Sequence, residues 1–200
     1  MPDSTQDFFD TPREHSKVKA QIVFKYVQTW GRIPSDYQRR IGREPELAYV
    51  DLFSGPGMYA DGTSSTPMLV LKAAIEDPKI GTALRTYFND LKEENVAALA
   101  EAIEELPGIE KIRFEPKRFN EEATLSLILR MGIPVRVPRL YFLDQFGYKH
   151  VTLAMIKSLM VDWAECIFFF NYRRVIAAID NPAMVQNMFS LLAASRDSAR

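Results

Sequence analysis

The sequence predicts an α/β fold in which helices cover both faces of a doubly wound, mostly parallel sheet. Two observations support this prediction. Short apolar runs alternate with stretches of helical periodicity, and the first apolar run leads into the glycine turn Gly55-Pro56-Gly57. This alternation is typical of parallel sheets, because each helix returns the chain to the edge where the next strand begins. Right-handed crossovers that reverse direction once, at the first strand, give the strand order 3-2-1-4-5.

The elements follow from periodicity and from residues that start helices. Val18, Ile22 and Val23 have the spacing of one helical face, and Pro67 and Pro182 follow residues that can cap a helix. We expect helices at about 16–30, 67–76, 89–106, 120–131, 151–163 and 181–194. We expect strands at about 47–53, 82–88, 109–114, 139–143 and 165–170, with polar connections at 31–46 and 54–66.

Length and composition indicate one domain. The chain has 200 residues, 47% of them hydrophobic, which is enough for a sizeable core. We expect a flexible leader at 1–13 and a single domain at 14–200. The single cysteine, Cys166, lies in an apolar run, and no segment has the composition of a signal peptide or a membrane helix, so we expect a cytoplasmic protein. The net charge of −1 does not indicate nucleic-acid binding, which would need a local basic patch.

The glycine turn predicts a cofactor site. Its pattern matches a dinucleotide-binding loop, but the loop does not open directly into a helix, so it does not favour a nicotinamide cofactor. An acidic residue before a glycine-rich turn fits S-adenosylmethionine, with Asp51, Phe53, Gly55 and Gly57 around the methionine portion of that ligand. Backbone N–H groups near Thr66 would receive its carboxylate. The alternative is that the glycines only shape a turn that Asp51 stabilises.

Asp90 follows the second predicted strand, where a carboxylate can accept hydrogen bonds from a ribose diol. Asp90 is equally suited to cap the next helix, and the two roles are compatible. The end of the fourth predicted strand carries Asp144, Phe146 and Tyr148, which could grip a planar amine through a carboxylate and aromatic faces. The alternative is an aromatic turn built around Gly147.

Other candidate sites are less well supported. The residues Lys111, Arg113, Lys117, Arg118, Arg136 and Arg139 could form a modest basic patch, although charges interleaved with acids usually form an ordinary surface. Arg173 and Arg174 could line the crevice or be solvated. Neither His15 nor His150 has a histidine or cysteine at metal-ligand spacing, and the carboxylates are not clustered as a two-metal nuclease requires.

Five short motifs together resemble a known family over most of the chain. They are His15 with Lys17 and Lys19 ahead of Tyr26 and Trp30, Asp51-Leu52-Phe53-Ser54-Gly55-Pro56-Gly57, Ser65-Thr66-Pro67, Phe88-Asn89-Asp90, and Leu143-Asp144-Gln145-Phe146-Gly147-Tyr148. The chain resembles the three-Cys-motif partner (TcmP) family, bacterial proteins named for their association with a separate protein that carries three cysteines. The glycine motif is also similar to that of class I methyltransferases.

This resemblance implies a Rossmann-like fold that binds S-adenosylmethionine, a methyltransferase-like activity on a nucleobase or another amine, and a three-Cys-motif protein as partner. A non-catalytic, cofactor-binding partner module is the alternative, because Gln145 stands where the family usually has proline. A complete class I methyltransferase sheet has two further strands. We therefore expect either a piece of a longer protein or a reduced form whose open sheet edge favours association, including a homo-oligomer.

Overall fold

A computed structural model describes residues 14–145 and 151–169 of the chain. Its α-helices are α1 (Glu14–Trp30), α2 (Arg32–Arg40), α3 (Thr66–Glu76), α4 (Pro78–Gly81), α5 (Glu93–Glu104), α6 (Leu125–Arg130) and α7 (Leu153–Leu159). Its strands are β1 (Leu47–Asp51), β2 (Leu84–Asn89), β3 (Lys117–Phe119), β4 (Arg139–Leu143) and β5 (Ala164–Phe168). A single turn of 3-10 helix covers Ile109–Lys111.

The five strands form one parallel sheet in the order β3-β2-β1-β4-β5. The predicted fold class and strand order are therefore confirmed. Asp51, the last residue of β1, pairs in register with Phe88 of β2 and Phe142 of β4. The carboxyl end of β1 thus lies in the middle of the sheet, where the direction of the crossovers reverses and where sheets of this type bind ligands.

Each face of the sheet is covered by helices. Successive strand residues point to opposite faces, so Tyr49 and Val50 of β1 belong to different cores. The face that contains Tyr49 packs against α1 and α3, which contribute Val23, Val27, Met68 and Leu71 among others. The face that contains Val50 packs against α6 and α7, which contribute Leu127 and Met155 among others. Every residue of β1 is buried, as expected for a central parallel strand.

Polar side chains fix several element boundaries. Thr124 and Thr152 cap α6 and α7 by accepting hydrogen bonds from the backbone N–H groups of Leu127 and Met155. Helix α6 begins directly after its Thr124 cap, five residues after the predicted start, whereas α7 begins two residues late and ends at Leu159, four residues before the predicted end. Strand β1 ends two residues early, because the Asp51 side chain accepts the Phe53 N–H and turns the chain away from the sheet.

The predicted third strand at 109–114 is wrong. Gly108 has a left-handed conformation (φ 85°) and starts the 3-10 turn, after which the side chains of Ile109 and Ile112 pack against the core beneath α3. The Arg113 N–H bonds to the Gly81 carbonyl oxygen, so this segment fastens to the end of α4. The true strand, β3, lies farther along the chain and pairs Lys117 with Tyr87.

Two helices were not predicted. Helix α2 occupies much of the polar interval at 31–46, and it buries Pro34 and Ser35 in its first turn. Helix α4 is a single turn that Asp77 caps through the Lys79 N–H. The predicted leader at 1–13 and the predicted helix at 181–194 lie outside the described residues. In the described ranges, none of the helices has the length and apolar character needed to cross a membrane.

Candidate functional site

Asp51 is the most unusual polar residue at the carboxyl end of the sheet. Its side chain is fully buried, and its Oδ1 atom accepts the Phe53 N–H at 3.0 Å. Its Oδ2 atom has no hydrogen-bond partner among the described residues. Leaving a buried carboxylate oxygen without a donor is costly, so an unpaired oxygen at this position needs an explanation.

Burial also raises the pKa of Asp51 well above its ordinary value, and the negative charges of Asp144 and Asp90 raise it further. The Phe53 N–H and the nearby Tyr49 hydroxyl act in the opposite direction. Tyr49 lies two residues earlier on the same face, is itself fully buried, and has no hydrogen-bond partner for Oη within the described part of the chain. Burial raises the pKa of Tyr49 as well. A cationic or hydrogen-donating group beside Asp51 would relieve this arrangement.

Asp90 holds the glycine turn in place. Its Oδ2 atom accepts the Gly55 N–H at 3.0 Å, and its Oδ1 atom accepts the Lys92 N–H at 2.9 Å and the Asn95 side-chain amide at 3.0 Å. A carboxylate has about four acceptor positions, so roughly one remains on Oδ2 for a ligand hydroxyl. The predicted ribose-binding residue is therefore also the residue that shapes the loop.

The two loop glycines are required by geometry. Gly55 and Gly57 have φ of 66° and 83°, a region that other residues adopt only under strain. A Cβ atom at Gly57 would also lie 2.8 Å from Leu99 Cδ1 on α5. The turn therefore packs directly on a helix, and Phe53 lies partly buried at its start.

The loop ends at the N-terminus of α3, which the sequence predicts as a carboxylate site near Thr66. The Ser65 N–H bonds to the Gly57 carbonyl oxygen at 2.8 Å, which brings this terminus back to the glycine turn. Ser65 occupies the capping position, but its side chain does not cap the helix. Its Oγ atom is buried and lacks a partner among the described residues. Thr66, the first helical residue, is half-buried beside it.

Asp144 continues β4 and is only partly buried. It forms an ion pair with Lys19 of α1, whose ammonium also lies 5.5 Å from the centre of the Phe169 ring. Asp51 ends β1, Asp90 follows β2 and Asp144 follows β4, so the parallel sheet places all three carboxylates at one end. Phe146 and Tyr148, the other predicted substrate-facing residues, lie outside the described residues. Gln145 bonds through both its amide atoms to the backbone of Val151, so it connects the end of β4 to the residues that precede α7.

The first turns of α1 cover this end of the sheet. The Ser16 side chain lies near Tyr59 in the loop after β1, and Lys17 lies 3.9 Å from Asp61 in the same loop. Together with the Lys19–Asp144 ion pair, these contacts fasten α1 over the predicted crevice. The motif that carries Lys17 and Lys19 is noted in the sequence, but its role in covering the crevice is not predicted.

Asn89 is a second residue whose role was missed. Its amide nitrogen donates to the carbonyl oxygens of Leu52 at 3.1 Å and Glu121 at 3.0 Å, and its Oδ1 atom accepts the Glu121 N–H at 3.2 Å. It thereby connects the ends of β1 and β2 to the segment after β3. A buried asparagine at the end of an apolar strand was the signal that could have indicated this role.

Two of the basic residues considered from sequence have partners within the protein. Arg139 is buried and donates to the backbone oxygens of Pro134, Val135 and Val137. Arg113 pairs with Glu44. The two residues are therefore occupied with structural contacts.

Within residues 14–145 and 151–169, no group of three histidine, cysteine, aspartate or glutamate side chains is arranged to hold a metal ion. No protein-family model matches the chain, and no curated protein matches it. The fold and the geometry of the site therefore carry the functional argument.

Proposed function

We propose that this protein binds S-adenosylmethionine at the carboxyl end of β1 and acts as a methyltransferase-like protein. The observation that carries the proposal is the buried Oδ2 atom of Asp51, which lacks a partner in the described part of the chain and lies at the switch point of a doubly wound sheet. The ammonium group of the ligand's methionine portion would supply the missing donor and lower the cost of burying this carboxylate.

The neighbouring groups fit the other parts of the same ligand. The Ser65 hydroxyl and the first N–H groups of α3, near Thr66, would bind the carboxylate of the methionine portion. The remaining acceptor position of Asp90 would bind a ribose hydroxyl. Gly55 carries no side chain, so the ligand could approach the backbone of the turn there, whereas the space at Gly57 is taken by Leu99 of α5.

In this proposal the bound cofactor supplies an activated methyl group, and the protein positions the acceptor. Asp144 would orient an amine, such as that of a nucleobase, while Phe146 and Tyr148 would stack on its ring. Lys19 pairs with Asp144, so an amine bound at this carboxylate would displace the Lys19 side chain or share the carboxylate with it.

The Lys19–Asp144 ion pair also favours a second candidate function. A non-catalytic, cofactor-binding module would bind no substrate at Asp144, so it would keep the ion pair with Lys19. Its partner would be a three-Cys-motif protein. In that case α1 would stay in place when the cofactor binds. The two candidates therefore differ in whether Asp144 becomes available to a substrate.

The first test is calorimetric titration with S-adenosylmethionine and S-adenosylhomocysteine, with NADH as a negative control. We expect both sulfur ligands to bind and NADH not to bind. Asp51→Asn keeps the acceptor for Phe53 but removes the charge, so it should weaken the sulfur ligands at least tenfold, or ~1.4 kcal/mol. The matched control is Asp162→Asn, a carboxylate at the opposite end of the sheet.

No binding of either sulfur ligand by the folded chain would contradict the cofactor proposal. If binding is established, Asp144→Asn distinguishes the two candidates. The methyltransferase candidate predicts loss of methyl transfer to an amine acceptor with unchanged affinity for S-adenosylhomocysteine, which is neutral overall. The module candidate predicts no transfer by either protein.

A further inference from the structure

A groove lies at the amino end of the sheet, opposite the crevice described above. It runs between α2 and the segments that precede β4 and β5. Two adjoining cavities, of about 420 and 380 Å³, share the side chains of Pro34, Tyr37, Pro138 and Trp163. We call this feature the Tyr37–Trp163 groove. It is separate from Asp51, Asp90 and Asp144, so an inference about it does not depend on the proposed function.

The aromatic pair at its centre is exposed. The Tyr37 and Trp163 rings stack with their centroids 5.6 Å apart and their planes 28° apart. Trp163 is 57% exposed and Tyr37 is 43% exposed. Both rings line both cavities, so the aromatic pair lies between two adjoining spaces and gives each an aromatic surface.

Trp163 is held in a conformation that a bulky residue avoids. Its φ is 65°, the only positive value among the non-glycine residues that the structure describes. This conformation costs free energy, while the exposure of the ring shows that packing does not recover the cost. The backbone is fixed by the bonds from Arg139 N–H to Trp163 O and from Ala164 N–H to Val161 O. A strained, exposed tryptophan indicates a binding residue.

The groove is also locally basic. Arg43 and Arg136 line one cavity and Arg40 lines the other, and none of the three forms an ion pair within the described ranges. The acidic residues of the same walls are Asp162 and Glu165, and Glu165 is hydrogen-bonded to Tyr26. The walls therefore carry three basic and two acidic side chains, whereas the whole chain has a net charge of −1.

We propose that the Tyr37–Trp163 groove binds single-stranded nucleic acid, with bases stacked on the aromatic pair and phosphates near Arg40, Arg43 and Arg136. The bases of a single strand would stack on the aromatic surface of the two adjoining cavities. Its regularly spaced phosphates would bind the arginines of the rim, which form no ion pair with the described residues. An acidic peptide would match the charge, but it has no series of planar groups to fill both cavities.

The test uses the full chain and a fluorescein-labelled single strand of about 12 thymidines, in DNA and RNA forms, followed by anisotropy. Base stacking should also quench the fluorescence of Trp163. The second tryptophan, Trp30, lines one of the cavities but is only 5% exposed, and the fluorescence that remains in Trp163→Gly measures its own response. Trp163→Gly removes the ring and suits the positive φ, so this variant should fold and bind about tenfold more weakly. Trp163→Asn, which also tolerates this conformation, is a second variant of the same kind.

The arginines are tested through salt dependence between about 50 and about 200 mM salt. Replacing Arg40, Arg43 and Arg136 together by Gln should reduce the slope of log affinity against log salt by about 2, since each phosphate contact on a single strand contributes about 0.7. Lys111→Gln, at an exposed lysine that lines neither cavity, is the control for the loss of one positive charge and should leave the slope close to that of the unmodified chain.

Several results would overturn the proposal. One is the absence of binding to either strand, and another is unchanged affinity in both Trp163 variants. A third is a salt slope that changes as much per charge removed in Lys111→Gln as in the triple arginine variant. Preferential binding of a glutamate-rich peptide, in competition with the oligonucleotide, would assign the groove to a protein partner and overturn the proposal as well.

Discussion

The ammonium group of Lys19 on α1 is paired with the carboxylate of Asp144 at the end of β4. These two residues are 125 positions apart in the chain, and both side chains are about one quarter exposed. The pair fastens the N-terminal helix across the end of the sheet where Asp51 is buried. It therefore affects both the charge of the crevice and the access to it.

Replacing Lys19 by Met should increase the preference for S-adenosylmethionine over S-adenosylhomocysteine. The first ligand carries a net positive charge and the second is neutral overall, so removing a nearby cation favours the first. We expect the affinity ratio, measured by calorimetry at low salt, to rise at least fivefold, or ~1 kcal/mol. Lys25→Met, an exposed position on the same helix, should leave the ratio unchanged. An equal change for both ligands would show that Lys19 acts only on access.

Asp51 should make the free protein less stable as the pH rises. Its pKa is raised in the folded state, so its contribution to stability is fully present below the unfolded pKa, near 4. That contribution is lost as the pH rises from there through the folded pKa. Asp51→Asn does not titrate and should therefore be more stable than the unmodified chain at neutral pH, by roughly 1 to 3 kcal/mol. Urea unfolding at several pH values measures this difference, and a variant that is less stable at neutral pH would contradict it.

Gly57→Ala should destabilise the fold by more than Gly62→Ala. Both glycines have a left-handed conformation, with φ of 83° and 77°, so both substitutions introduce backbone strain of about 1 kcal/mol. At Gly57 the added methyl group would also meet Leu99 at 2.8 Å, whereas nothing lies within 4 Å at Gly62. We expect a further loss of ~1 to 3 kcal/mol at Gly57 in urea unfolding. Equal losses would mean that α5 moves aside without cost.

Cys166 should react slowly with thiol reagents. Its burial in β5 raises its pKa to about 11. At pH 8 only about one thiol in a thousand would then be the reactive thiolate. Iodoacetamide labelling followed by mass spectrometry should show slow reaction at pH 8 that accelerates as the pH rises toward 11, with the same chain unfolded in urea as the control. Labelling of the folded chain as fast as the control would contradict this expectation.

The sheet could be predicted from sequence because its central strands are short, apolar and bounded by turn residues. The bounds of β4 match the prediction, and the start of β1 does as well. The third strand could not be found in this way. The three residues of β3 are polar or partly exposed, while the more apolar segment before them packs its isoleucines under α3. Edge strands carry little of the apolar signal that identifies buried ones.

The positions of the candidate residues in the fold followed from the sequence, but the connections between them did not, and cofactor binding by these residues stays a prediction. Asp51, Gly55, Gly57 and Asp90 lie together at the end of the sheet as their sequence positions indicated. The ion pair of Lys19 with Asp144 joins residues from opposite ends of the described chain, and no local pattern specifies such a partner. The Tyr37–Trp163 groove was not predicted, because the apolar spacing at 151–163 suggested a helix that continues through Trp163.

The side-chain amide of Asn89 has a consequence for the order in which the protein folds. It binds to Leu52 on one side and to Glu121 on the other, so it can form its bonds only when three distant segments have already met. Bringing distant segments together lowers the entropy of the chain before the new contacts stabilise the fold. Contacts of this kind therefore tend to form late in folding. The full set of Asn89 bonds therefore forms only after β1, β2 and the segment that follows β3 have come together.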